Sequence, residues 1–175
     1  MRIIKRLLSF LTAKVFFITL TLAIFVMAFY TAMNTANIAV LIDEGLEARA
    51  AAVIQGTEEN KLNRYFTDDF LSRDPVLLTG LSNASPYRDY TVRSFSHKVQ
   101  FLSIWAWPWE SVARAEAVET VSSIDGTILS SKREAALQAG GEDRLVPPAW
   151  ETCKYRVTLI RNNGRWKISG LNTIQ

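Results

Sequence analysis

The chain holds one histidine, His97, and one cysteine, Cys153, so chemistry has to be sought mainly among carboxylates, phenols and indoles. A general base must sit within about 3 Å of the proton it takes, with a pKa tuned to the task. The side chains that could meet this requirement are His97, Tyr65, Asp68 and Asp69. His97 shares the parity of Phe95, Val99 and Phe101 in a strand-like stretch, which sends its ring to the apolar side. A lone histidine among such neighbours is ordinarily hydrogen-bonded core. Asp68 and Asp69 are adjacent, about 100° apart on a helix, and so form no natural acid–base pair. With Thr67 they read equally well as the cap of a helical turn. His97, Tyr65 and Asp69 are therefore candidates for lining an internal pocket, and no residue is assigned a catalytic role.

One histidine and one cysteine fall short of any familiar metal-ligand spacing, and a single cysteine makes no intrachain disulfide. The sequence contains no Gly-rich phosphate loop, no Gly-x-Ser-x-Gly elbow and no Walker-type lysine. The expectation is a non-enzymatic protein without metal or cofactor. Its most unusual local feature is Trp105, Trp107 and Trp109, all of one parity. Three indoles so placed suit core filling, an anchor for a partner protein, or contact with a membrane interface. They are carried forward as candidate partner-binding residues.

The elements that must position these residues begin with a membrane-type segment. No charged residue occurs between Val15 and Ile42, and Val15–Met33 is almost wholly apolar. About 20 helical residues cross a hydrocarbon core of about 30 Å, and a helix satisfies its own backbone groups there. Arg2, Lys5, Arg6 and Lys14 precede the stretch, whereas Asp43, Glu44 and Glu47 follow it, which predicts a cytoplasmic N-terminus. A cleaved signal peptide is the rival, but its apolar region is shorter and ends in a small-x-small site. The division expected is a basic stub over 1–14, a transmembrane signal anchor over 15–36 and an outer domain over 37–175, in the plasma (inner) membrane. The net charge of +3 does not point to nucleic acid. Four of the 20 Lys and Arg lie in the stub, leaving 16 against 17 acidic residues, and phosphate backbones are bound by concentrated positive charge.

In the outer part, Leu46, Ala50, Val53 and Ile54 fit one helical face, ended by Gly56. That face could pair with a second copy or pack on the domain. A second helix is expected from a Thr57 cap, with Leu62, Tyr65, Phe66 and Phe70 on its apolar side and Pro75 closing the section. Residues 78–86 read as a loop. A strand from Tyr90 to the tryptophans is followed by a second over Ser111–Ile124, with Val112, Val118 and Ile124 inward and a turn at Asp125–Gly126. A short helix over Ser130–Ala139 precedes the strand carrying Cys153, Tyr155, Val157 and Leu159. Asn162-Asn163-Gly164 then predicts a hairpin turn into Arg165-Trp-Lys-Ile168. Helices followed by antiparallel strands make an α+β domain.

This order, with Tyr65-Phe-Thr-Asp-Asp-Phe-Leu71 and the hairpin Tyr155–Ile168, resembles the NTF2-like superfamily across roughly residues 43–175. The resemblance implies a cystatin-like cone of helices packed on a curved antiparallel sheet, which in other members hosts isomerases and dehydratases. With the anchor added, the layout is similar to bitopic NTF2-like assembly subunits of conjugation and type IV secretion systems. It implies a scaffold that contacts other envelope proteins and self-associates; the alternative is a small-ligand-binding or isomerase-like cone.

Overall fold

The computed structural model describes residues 2–56 and 59–174, with side chains from residue 10 onward except at 59 and 60. Helix α1 runs unbroken over Arg2–Gln55, 54 residues, or about 81 Å at 1.5 Å per residue. It is long and apolar enough to cross a membrane, with a best window of mean hydropathy 2.2 that is wholly exposed. The hydroxyls of Thr19, Thr21 and Thr31 donate to the carbonyls of Val15, Phe17 and Met27. Each is thereby satisfied within the helix, as apolar surroundings require.

From Ile38 the same helix changes environment. Ile38, Ile42, Leu46, Ala50 and Val53 form one buried stripe, with the spacing of a single helical face. The face that could have paired with a second copy is thus taken up by the chain's own domain. It packs against an antiparallel sheet of β1 (Tyr90–Trp105), β2 (Val112–Ile128), β3 (Cys153–Asn162) and β4 (Arg165–Thr173), in the order β1-β2-β3-β4. The turn from β3 to β4 places Asn163 at φ 50° and Gly164 at φ 79°, as the Asn-Gly pair predicts. A short helix α4 (Arg133–Gly140) and flanking 3₁₀ turns join β2 to β3. The observed class is α+β, with a long apolar N-terminal helix and a four-stranded antiparallel sheet.

Four local expectations are corrected. The segment after α1 is not one helix but a 3₁₀ turn (Glu59–Arg64), a parallel bridge from Phe66 to Ile168, and a one-turn helix α2 (Asp68–Leu71). The expected Thr57 cap lies outside the described residues. Thr67 does cap α2, its side chain accepting from the Phe70 amide. Pro75 opens a helix rather than closing one: α3 (Pro75–Gly80) starts with Asp74 as N-cap, so Leu78–Gly80 is helical and not loop. On β2 the inward residues are Ala113, Ala115, Ala117, Glu119 and Val121, while Val112 is exposed; beyond a register shift opposite Ser96 and His97, Ile124 packs against the core as expected. Alanines signal burial weakly, and the parity of Val112 and Val118 pointed to the wrong face.

The fourth correction is at Asp125–Gly126, which lies within β2 and not in a turn. A Cβ at Gly126 would stand 2.8 Å from the Thr91 carbonyl oxygen and 2.9 Å from Pro147 Cγ. The glycine serves close approach of backbone. Gly126→Ala is expected to destabilise the protein by about 1–3 kcal/mol through overpacking. The check is a urea titration of the full-length protein in detergent, where the midpoint should fall at unchanged slope.

Candidate functional site

The polar groups of the interior form a single chain across four elements. Arg49 interrupts the apolar stripe of α1 and meets Asp74, the α3 cap, through two hydrogen bonds: Nε to Oδ2 at 2.6 Å and Nη2 to Oδ1 at 3.1 Å. Asp74 Oδ1 also accepts from the Val76 amide at 3.1 Å. On the other side, Arg49 Nη1 lies 4.0 Å from Glu119 Oε2. Glu119, on β2, meets His97 Nε2 of β1 at 3.1 Å through Oε1. The Glu119 side chain is 0% exposed and that of His97 3%. Arg49 Nη1 and Glu119 Oε2 face each other without a hydrogen-bond partner, so one contact in the chain is left open. Burial works against the Arg49 charge, but the hydrogen bond and charge of Asp74, aided by Glu119, leave its pKa raised.

Tyr155 of β3 joins this chain to the surface. Its ring lies 5.9 Å from the Arg49 guanidinium carbon, and it also lines a cleft of about 410 Å³ with Val53, Val76, Tyr87, Trp150 and Cys153. Tyr87 and Trp150 stack with centroids 6.5 Å apart. Burial first, and the Glu119 charge against the opposing effect of Arg49, push the Tyr155 phenol well above its ordinary pKa. The cleft suits a small, largely apolar molecule, with the neutral Tyr155 phenol in its lining.

The three pocket candidates from the sequence do not meet. His97 is enclosed with Glu119. Tyr65 lies on a surface groove shared with Glu44, Arg165 and Lys167. Asp69 has a side chain 71% exposed and pairs with Arg73, while Asp68 is also at the surface. Among the described residues no group of three potential ligands could hold a metal ion. The residues that reasoning from sequence missed are Arg49, Asp74 and Glu119. Arg49 had a signal, a cation three residues after Leu46 on an apolar face. Asp74 had another, an Asp-Pro pair able to start a helix. Glu119 had only its parity with three alanines.

The tryptophans form an exposed cluster on the hairpin between β1 and β2. Trp107 packs edge-on to Trp105 at 5.7 Å and stacks on Trp109 at 5.1 Å. Trp105 and Trp109 are 64% and 62% exposed, so they do not fill the core. Asn34 of α1 ties this end of the sheet together. Its Nδ2 reaches the Ala106 carbonyl at 3.5 Å, while its Oδ1 accepts from Trp166 Nε1 at 2.9 Å and Arg161 Nη2 at 3.3 Å. Arg161 Nη1 donates to the Pro108 carbonyl at 3.0 Å.

No protein-family model matches this chain, and no curated protein matches it significantly. The geometry above is what bears on function.

Two outcomes follow from the buried chain. Asp74→Asn strands the Arg49 charge and should cost about 3–5 kcal/mol, whereas Glu119→Gln keeps a partner for His97 and should cost less; paired urea titrations compare them. The raised Tyr155 pKa stabilises the fold below the unfolded tyrosine value, and that contribution is lost as pH rises beyond about 10. Tyr155→Phe should therefore flatten the alkaline decline of the unfolding midpoint.

Proposed function

We propose that this chain is a membrane-anchored binding subunit that presents a rigid outer domain as part of an envelope assembly. The observation that carries the reading is the continuity of α1. One helix supplies both the exposed apolar stretch and the buried stripe Ile38–Val53, so no linker separates anchor from domain. A domain mounted in this way holds a fixed height and orientation at the membrane, which suits docking. The enclosure of His97 and Glu119 also favours binding over acid–base chemistry, because acid–base work needs direct reach to the substrate's proton. The basic residues before the span argue for a cytoplasmic N-terminus and an uncleaved signal anchor. The α+β order is compatible with the NTF2-like cone expected from the resemblance, and a place in conjugation or secretion is what that resemblance adds. Self-association and contact with other envelope proteins belong to the same proposal.

A second reading has its own observation. The cleft at Tyr87, Trp150 and Tyr155 favours a small-ligand-binding domain, with the bound molecule apolar or aromatic.

Topology is tested in a Cys153→Ser background by adding Ser9→Cys or Asn83→Cys and labelling sealed cells or spheroplasts with a membrane-impermeant maleimide. Asn83→Cys should label at once and Ser9→Cys only after permeabilisation. Labelling of both from outside would overturn the anchor, and loss of the first residues from the mature chain would establish a cleaved signal. Crosslinking of the tagged full-length protein in its own membrane should then capture defined membrane proteins. Recovery of the chain alone, with a small molecule retained in native mass spectrometry, would replace the binding-subunit reading by the second.

A further inference from the structure

We propose that the Trp105–Trp109 hairpin is a second membrane contact, its indoles seated at the boundary between lipid head groups and acyl chains around the outer end of α1. The proposal rests on the reading of α1 as a span and assigns the tryptophans to lipid and not to a protein partner. Depth is the first argument. At 1.5 Å per residue Val15–Met33 is about 28 Å long, close to the hydrocarbon thickness of about 30 Å, which puts Asn34 at the outer boundary. Trp107 walls one groove together with Met27, Ala28, Thr31 and Ala32. Those residues lie about 3 to 10 Å along the axis on the membrane side of Asn34. The hairpin thus reaches past Asn34 and down beside the apolar stretch.

That depth is fixed by the fold. Asn34 and Arg161 hold the carbonyls of Ala106 and Pro108, and Arg161 is itself held by Asn34, so the hairpin cannot slide along α1 without breaking these bonds. The composition fits the place. Indoles combine an apolar body with one donor and concentrate at membrane interfaces, and Trp105 and Trp109, packed on either side of Trp107, leave most of their surface uncovered. Cations stand nearby: Arg114 pairs with Trp105 across the ladder, and Arg165 begins the neighbouring hairpin strand. Both are exposed and suit anionic head groups. Glu110, half-buried, is the one acid in the turn. A soluble partner approaching from outside would meet head groups before it met Trp107.

The test uses full-length protein in vesicles of phosphatidylcholine and phosphatidylglycerol, with or without brominated acyl chains, reading tryptophan emission. Bromolipid should quench the wild type strongly and aqueous iodide weakly. Trp105→Phe/Trp107→Phe/Trp109→Phe should lose most of the bromolipid quenching, the remainder reporting Trp150 and Trp166. If that variant lacks the wild-type circular dichroism, Trp109→Phe alone replaces it, and a smaller loss in the same direction is expected. Quenching by iodide but not by bromolipid would overturn the proposal. So would bromolipid quenching that disappears as protein density rises, because a second copy would then be covering the indoles. Maleimide labelling of Ser9→Cys and Asn83→Cys in the same vesicles separates the two readings. Opposite sides with an unquenched hairpin sinks only this inference, while the same side sinks the anchor as well.

Discussion

A single helix in this chain has to satisfy two surroundings, and most of the remaining structure is arranged around that requirement. From Val15 to Met33, α1 is apolar on every side and its threonines turn their hydroxyls back onto its own carbonyls. From Ile38 it is apolar along one stripe only, and the sheet covers that stripe. Asn34 stands at the change. It is the point where helix, β1–β2 hairpin and β4 are joined by polar contacts. Gly45 plays a related part further along, since a Cβ there would lie 3.0 Å from Ile168 Cδ1 and 3.2 Å from Tyr65 Cβ. Its bareness lets β4 and the Phe66 segment close onto the helix.

The charges within the core do a different kind of work. A buried ion pair adds little net stability over apolar residues of the same shape, but breaking one is severe. Arg49, Asp74, Glu119 and His97 come from α1, the α3 cap, β2 and β1, so their hydrogen bonds are satisfied together only when those four elements are aligned. We read this chain of polar groups as a device for alignment. The unfilled contact between Arg49 Nη1 and Glu119 Oε2 marks where that alignment is least complete.

Much of the architecture was legible because it rests on local patterns. The charge-free stretch, the alternation along β1 and β3, and the Asn-Gly turn each declare themselves within a few residues. The failures share a cause. On β2, small alanines faced inward while Val112 faced out, so the parity of Val112 and Val118 misled. Gly126 and Pro75 are common turn and stop signals, yet here one admits a neighbouring backbone and the other starts a helix. The site was less legible than the fold. Tyr65, Asp69 and His97 were grouped by chemistry, but only packing decides which side chains meet, and it joined His97 to Glu119 instead. Glu119 looked like a solvent-facing acid because a carboxylate is rarely placed wholly inside without a visible partner.

The dependence of the α1 stripe on β4 has a consequence for how the molecule is made. Ile38, Ile42 and Leu46 are synthesised early, whereas Trp166 and Ile168, which help to cover them, leave the ribosome much later. The contact from Asn34 to Trp166 spans 132 residues of sequence. Pairings this distant close slowly, so a nascent chain holds a bare apolar ridge along α1 until β4 arrives. During that interval the ridge is exposed to misassociation, and the late arrival of β4 sets how long it stays bare.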